Sequence, residues 1–402
     1  MFKYSRRAFL SNIAGGAALL ASRTLPAAVP GDSVDVFRID GFTGLTGTGH
    51  HDGFDALIEL MGRHGVCFYR SDSAAATSSP KGIIGPNDVV MIKVNSQWDR
   101  RGMTNVDLVH GVISSILSHP DGFQGEIVIV ENAQWRRDSF PRPNGNAFNW
   151  QGVTNANDRG QTFEKLAEEL SAQGKVSCFD WTNLTARLSW PENDHTTNAY
   201  HRPDPNIAIA ACYPRFSTQY GTRINFRDGI WTGKNYDQER LKLINIPVLK
   251  DHSIYNVTGC VKHYMGVIIN YYHDTFVRDC GIMMTTTRVP NLNVLDCTYV
   301  GISGGPGVGD SGAKKQDILL AGTDPVAVDF YGAKNVLYPL TNRSTHNPDP
   351  SAARRNLLQQ YLENARLALN AAGFRTVTGL NDAAIRLVTP ETAVQHWQLY
   401  AG

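Results

Sequence analysis

The sequence predicts an α/β fold made of two lobes built on mostly parallel sheets with crossover helices. Short apolar runs at residues 88–94 and 126–130 are typical of strands buried on both faces of a sheet. Residues 106–117, between these runs, carry apolar side chains at helical spacing, and a strand, a helix and a second strand in this order form a parallel crossover unit. We expect the lobes to span residues 31–190 and 200–402, with the site in the cleft between the lobes.

The first lobe has a regular order of elements. Residues 132–159 form a long insert rich in Asn, Pro, Arg and Trp. Thr104 or Asn105 is expected to cap the second helix, and Pro120 to end it. The predicted strands are residues 34–39, 66–69, 88–94, 126–130 and 176–179, and the predicted helices are residues 54–61, 106–117 and 163–170.

The second lobe is less regular. Asp324 precedes Pro325 and is expected to cap a helix. The predicted strands are residues 207–211, 241–246, 292–295 and 318–320, and the predicted helices are residues 325–337 and 352–371.

The composition excludes several classes of protein. The 402 residues are 42% hydrophobic with a formal net charge of +1, so the chain can form a large core, unlike a disordered protein. The mean hydropathy is −0.27, and no interior apolar run approaches the roughly 20 residues that a membrane span needs. We therefore expect a soluble protein without a stable membrane span.

Residues 1–28 are predicted to be a twin-arginine signal peptide, the alternative being a basic amphipathic helix. Residues 5–10 read S-R-R-A-F-L, and an apolar stretch and small residues follow. Removal of residues 1–27 takes away four basic residues and no acidic one, which changes the net charge from +1 to −3 and argues against a nucleic-acid partner. We expect the twin-arginine export machinery as a partner and a periplasmic or secreted location.

The six cysteines show no C-x-x-C pair and no clustered run. We therefore expect most of them to be thiols and expect no ferredoxin-type iron–sulfur cluster. Proteins exported by the twin-arginine route often bind a cofactor before transport, so a metal ion stays among the candidate cofactors.

Polar residues follow two of the buried runs. Lys93 and Asn95 lie at the end of the first run, and Glu131 follows the second. Ligand sites in open α/β sheets form outside the carboxyl ends of the strands. We therefore predict that these three residues, together with Thr258, bind a small-molecule substrate.

The densest group of titratable residues follows the predicted strand 241–246, and three interpretations of it remain open. His252, His263 and His273, with a carboxylate, can hold a metal ion. Lys250 and Lys262 can bind an anionic ligand, or a desolvated Lys262 can act as a base or covalent anchor. The third interpretation is a structural network of ion pairs. We take His252, Lys262 and Asp251 as the catalytic candidates.

Four motifs occur in the order found in the family called domain of unknown function 362. They are I-K-V-N at residues 92–95, N-I-P-V-L-K-D-H at 245–252, T-x-x-x-K-x-x-x-G at 258–266 and L-A-G-T-D-P-V-A-V-D at 320–329. The chain resembles this family over roughly residues 88–335, as a twin-arginine-exported member without a ferredoxin domain. The resemblance implies a fold and a set of site residues, but no particular reaction.

The chain departs from the family pattern at three positions. Val94 replaces the usual proline, and Val248 stands where a lysine is common, so one anion-binding group is missing there. His263 replaces the usual asparagine and adds a candidate ligand.

A second resemblance concerns the spacing of His252 and Lys262, which lie ten residues apart. The spacing is similar to that of the His-to-Lys segment of nickel-pincer lactate racemases. The resemblance implies that Lys262 anchors a cofactor, that His252 is a ligand or base, and that His263 or His273 is a second one.

Two functions from different classes are consistent with these residues. The first is an exported, metal- or cofactor-dependent enzyme that acts on a small anionic substrate by redox or by racemase- or isomerase-type chemistry. The alternative is a periplasmic solute-binding protein that binds an anionic ligand through Lys93, Asn95 and Lys262 and performs no chemistry.

Overall fold

The computed structural model describes residues 33–132, 152–186, 194–201, 212–268, 273–351 and 356–391. In these ranges ten strands form one large, mostly parallel sheet, with helices on its faces. The predicted α/β class is confirmed. The predicted signal peptide and most of the long insert lie outside the described residues.

Strands and helices alternate through the first part of the chain, as the apolar patterns predict. The elements are β1 (Val34–Asp40), α1 (Asp52–Arg63), β2 (Tyr69–Arg70), β3 (Ser78–Ser79), β4 (Val89–Val94), α2 (Val106–Leu117), β5 (Glu126–Glu131), α3 (Phe163–Leu170), β6 (Val176–Asp180) and β7 (Thr185–Ala186).

The rest of the chain begins with short strands and ends with helices. The elements are β8 (Ala199–His201), β9 (Tyr213–Ser217), β10 (Arg223–Asn225), β11 (Gly229–Trp231), β12 (Tyr236–Asp237), β13 (Leu241–Ile246), β14 (Val248–His252), β15 (Asn256–Thr258), α4 (His273–Thr285), β16 (Leu292–Gly301), β17 (Ala313–Gly322), α5 (Pro325–Gly332), α6 (Tyr338–Thr341), α7 (Leu357–Ala371) and β18 (Ile385–Val388).

The strand order of the large sheet is β18-β1-β17-β16-β13-β4-β5-β6, and β14 pairs with β16 and β15. The central strands β16, β13, β4, β5 and β6 are mutually parallel, whereas β17 is antiparallel to both of its neighbours. The predicted two-lobe arrangement is not confirmed, because strands from both predicted lobes share this sheet and β13 pairs directly with β4.

A second sheet, of order β12-β11-β10-β9-β8-β7, contains only short strands. None of these strands is longer than the 5 residues of β9. The predicted strand at residues 207–211 lies outside the described residues.

The core has one apolar cluster on each face of the large sheet. In β4, Val90 and Ile92 pack in the cluster with α1, α2 and α3, whereas Val89 and Met91 pack in the cluster with α4, α5 and α7. Successive side chains of a strand point to opposite faces, so a strand buried on both faces reads as a continuous apolar run. By the same alternation, Lys93 lies on the face of Val89 and Met91.

The helix caps agree with the sequence pattern. The Asn105 side chain accepts a hydrogen bond from the Leu108 N–H, and the Asp324 side chain accepts one from the Val326 N–H. The predicted helix at 325–337 continues from α5 through a π-helical segment, Ala333–Leu337, into α6. Within the described ranges, no helix has the length and apolar character that a membrane crossing needs.

Candidate functional site

A row of three polar side chains crosses the parallel strands. Asn293 of β16 is in register with Asn245 of β13, which is in register with Lys93 of β4. Register neighbours in parallel strands point to the same face, so the three side chains form a line. Each residue is at most 1% exposed. Buried polar groups of this kind need partners, and residues 259–266, which we call the covering segment, supply two of them to Asn245.

Lys93 and Glu131 form an ion pair in this row. The Lys93 ammonium donates to the Glu131 carboxylate and to the Val94 carbonyl. Burial lowers the pKa of Lys93, and the Glu131 carboxylate opposes that shift. A Cβ atom at Gly266 would lie 2.6 Å from both the Lys93 Nζ and a Glu131 oxygen, so only glycine allows the covering segment to approach this closely. The structure therefore brings together Lys93 and Glu131, which were both predicted to bind substrate, beneath the covering segment.

His263 lies over the row. Its Nδ1 is 2.7 Å from the Asn245 Oδ1. Its Nε2 is buried, has no hydrogen-bond partner among the described residues, and lies 3.8 Å from a Glu131 oxygen. The backbone carbonyl of Val94 raises the pKa of the imidazole.

Three ammonium groups act on this imidazole, and we call Lys93, Lys250 and Lys262 the lysine cluster. Burial is the first cause that holds the pKa of His263 well below its ordinary value, and the positive charges of the lysine cluster lower it further. These effects outweigh Glu131, so the imidazole is neutral.

Lys250 is a buried lysine whose ammonium contacts only uncharged groups. Its Nζ donates to the backbone carbonyls of Gly102 and Pro306, the second at 2.9 Å. Burial lowers the pKa of Lys250 to about 7, and the charge of Glu131 opposes this shift. The sequence had identified Lys250, together with Lys262, as a candidate for binding an anionic ligand.

His252 and Lys262 meet at one aromatic ring. The Lys262 Nζ lies 5.3 Å from the centre of the Tyr255 ring, and the His252 ring centre lies 5.2 Å from it. The His252 Nδ1 accepts hydrogen bonds from the Ile254 and Tyr255 N–H groups, so that nitrogen closes a turn. A metal ion at His252 would therefore need the other ring nitrogen.

Asp251 is directed away from the lysine cluster. It neighbours Lys250 in β14 and so points to the opposite face of the strand. Its carboxylate pairs with His346 at 2.9 Å and with Arg343 at 3.2 Å, and these partners lower the pKa of Asp251 although burial opposes them. The structure does not bring this catalytic candidate to His263.

The remaining predicted substrate-binding residues differ in their surroundings. The Asn95 Oδ1 accepts the Val248 N–H at 2.9 Å, so this amide joins β4 to β14. Thr258 lies directly across from Lys250 in the β14–β15 pair, and its hydroxyl is buried without a hydrogen-bond partner among the described residues. The Thr258 hydroxyl is thus available to a ligand, whereas the side-chain Oδ1 of Asn95 already accepts a hydrogen bond.

The predicted metal ligands are not assembled by the described side chains. His273 is the first residue of α4, and its side chain lies outside the described part of the structure. Among the described residues, no group of three or more His, Cys, Asp or Glu side chains is arranged to hold a metal ion.

Asp329 fixes the start of the covering segment. Its carboxylate accepts the N–H groups of Cys260 and Val261 at 2.5 and 2.9 Å. Burial nevertheless raises the pKa of Asp329 to about 7. A Cβ at Gly259 would lie 2.3 Å from an Asp329 oxygen, so this glycine permits the contact. The structural role of Asp329 follows from these bonds.

Comparison with known proteins gives one match. The family model described as Domain of unknown function (DUF362) matches residues 238–334, about a quarter of the chain. The predicted family resemblance is confirmed over this range, which contains Asn245, Lys250, Lys262 and His263, whereas Lys93 lies outside it. No curated protein and no solved structure matches the chain.

The buried ammonium of Lys250 predicts a pH dependence of stability. Its pKa is about 7 in the folded protein and near 10.5 in the unfolded chain, so the unfolded chain binds an extra proton between these values. The free energy of unfolding should therefore rise with pH over that window, by about 1 kcal/mol per pH unit from this group. Lys250→Met should lose this contribution in urea denaturation at pH 7 to 10.

The control is Lys314→Met, because Lys314 is an exposed lysine of β17. Its pH profile should follow that of the unmodified protein. Parallel profiles for Lys250→Met and the unmodified protein would show that Lys250 is not held in a lowered-pKa state.

Proposed function

We propose that the protein is an enzyme that binds a small anionic substrate at the lysine cluster. The proposal rests on the geometry around residues 238–334, which match the DUF362 family model, whose description names no reaction. The observation that carries the proposal is the excess of buried positive charge around His263. Lys93 has a carboxylate partner, whereas among the described residues the Lys250 Nζ donates to carbonyl groups. Burial without a counter-ion disfavours the protonated form of Lys250 and lowers its pKa to about 7, and an anionic ligand would favour that protonated form.

The buried hydroxyl of Thr258 supports the same ligand class. It is an unused hydrogen-bond donor directly across from Lys250. Hydroxyl and ammonium donors together are typical of sites for carboxylate or phosphate groups. An organic cofactor that carries such a group would be attracted for the same reason.

The same charges argue against a metal ion beside His263. Positive charge that lowers the pKa of the imidazole also repels a divalent cation from its lone pair. Among the described residues only Glu131 lies close enough to add a carboxylate ligand there. The anionic-substrate part of the hypothesis is thus better supported than its metal-dependent part.

The solute-binding alternative uses the same lysines but has no need for His263. A neutral imidazole whose Nε2 has no hydrogen-bond partner in the described part of the chain can accept a proton, a capacity that binding alone does not require. This observation favours an enzyme over a solute-binding protein.

We also propose that the protein is exported through the twin-arginine route to the periplasm or beyond. The proposal rests on the S-R-R-A-F-L sequence at residues 5–10 and the apolar and small residues that follow. It places the substrate outside the cytoplasm.

Anion binding should depend on Lys262. In the mature protein, inorganic phosphate, sulfate or malonate, titrated at constant ionic strength, should raise the melting temperature in a saturable way. Lys262→Met should weaken binding roughly 10–100-fold, because a charge-assisted hydrogen bond contributes about 1.5–3 kcal/mol. Chelator should leave binding unchanged.

Two further variants make this test specific. Thr258→Val should weaken anion binding without loss of stability, since the hydroxyl it removes has no partner among the described residues. Lys314→Met, on the exposed part of β17, should bind like the unmodified protein. Equal affinity in all variants would refute the site, and loss of binding with chelator would support the metal-dependent hypothesis instead.

Export should depend on the paired arginines. Replacing both Arg6 and Arg7 with lysine keeps the charge but removes the signature, so the precursor should remain in the cytoplasm. Cell fractionation measures this outcome. Arg23→Lys is the matched control and should be exported normally; export of the double variant would contradict a twin-arginine signal.

A further inference from the structure

Two asparagines connect His263 to backbone carbonyl groups. The Asn293 Nδ2 donates to the Gly322 carbonyl at 3.3 Å, and its Oδ1 accepts from the Asn245 Nδ2 at 2.9 Å. The Asn245 Nδ2 also donates to the Cys260 carbonyl at 3.2 Å. The Asn245 Oδ1 then remains to face the His263 Nδ1 at 2.7 Å.

The donor-to-acceptor direction of these hydrogen bonds is determined by the backbone carbonyls at which they end. The carbonyls of Gly322 and Cys260 can only accept hydrogen bonds, so the amide nitrogens of both asparagines must point toward them. Rotating the Asn245 amide would place its oxygen against the Cys260 carbonyl and against the Asn293 oxygen. The Asn245 oxygen therefore faces His263, and the His263 Nδ1 must be the donor.

The proton of the neutral imidazole is consequently on Nδ1, and Nε2 carries a lone pair. That nitrogen is buried and has no hydrogen-bond partner among the described residues. An unpartnered buried acceptor is unfavourable in the ligand-free protein and becomes satisfied when a ligand brings a proton to it.

We propose that His263 is the general base of the site and that its Nε2 takes a proton from an anionic substrate, either from a carbon atom or from a hydroxyl group. Asn245 and Asn293 are positioning residues that hold His263 in the Nδ1-protonated form. The inference rests on the anion site proposed above. In the step, the substrate C–H or O–H bond breaks, an Nε2–H bond forms, and the electron pair stays on the substrate atom. The ammonium groups of the lysine cluster stabilise the added negative charge, and the imidazolium later returns the proton.

Because of the lysine cluster, the proton affinity of the His263 Nε2 also depends on whether the substrate is bound. In the ligand-free protein the ammonium groups disfavour an imidazolium at His263. An anion bound among them offsets their charge, so the affinity of Nε2 for a proton rises when the substrate is present. The site thereby avoids taking up a proton from solvent before the substrate arrives.

The tautomer can be measured without knowledge of the substrate. Nitrogen-15 NMR of histidine-labelled mature protein, with His263→Gln to assign the signal, should show a ring whose unprotonated nitrogen is Nε2. Addition of inorganic phosphate should raise the pH at which that nitrogen titrates. A ligand-free ring protonated at Nε2 would overturn the inference.

Variants separate positioning from a purely structural role. Asn245→Leu removes the Oδ1 that accepts from the His263 Nδ1, so this variant should contain a mixture of the two His263 tautomers. If it does not fold, Asn293→Leu is the second variant, because it removes the oxygen that accepts from the Asn245 Nδ2. The control is Asn291→Leu, because the Asn291 side chain accepts the Leu243 N–H at 2.9 Å outside the chain of amides. An unchanged tautomer in a folded Asn245 or Asn293 variant would overturn the positioning role.

The two proposals fail in different ways. An Nε2 lone pair in a protein that binds no anion would refute the anion site and leave the tautomer assignment intact. Anion binding with an Nε2-protonated ring would refute the base and leave the anion site intact.

Discussion

The constraint on which the site depends is the register of three parallel strands. It places Asn293, Asn245 and Lys93 side by side in the buried centre of the sheet. Each buried polar group needs a partner, and residues 259–266 supply two to Asn245 by folding over this face. The position of His263 follows from that requirement, because its Nδ1 completes the hydrogen bonding of Asn245.

The covering segment can approach the sheet only where side chains are absent. Gly259 allows contact with Asp329, and Gly266 allows contact with the Lys93–Glu131 pair. Between these two glycines the chain presents Lys262 and His263 to the row beneath. Close packing and charge therefore oppose one another. The tight approach that removes water also concentrates ammonium groups, and this concentration is the basis of the proposed anion site.

The sequence predicted the elements better than their arrangement. Strands β4 and β13 were predictable because burial on both faces requires continuous apolar runs, and the Asp324 cap was predictable from its neighbour Pro325. Pairing between β13 and β4 was not predictable, since it joins strands that are distant in sequence and replaces the expected cleft between lobes with one sheet. Lys93, Glu131 and Lys262 were recognised from their positions after buried strands. The contact of Asn245 with His263 depends on how the covering segment folds, so no local pattern revealed it.

The central claim is that the lysine cluster holds an anion. A crystal structure of the mature protein grown with bromide or selenate, with anomalous diffraction to locate the anion, tests this claim most directly. We predict an anomalous peak within hydrogen-bond distance of an ammonium group of the cluster. Anomalous peaks confined to the protein surface, with none near the ammonium groups of the cluster, would contradict it.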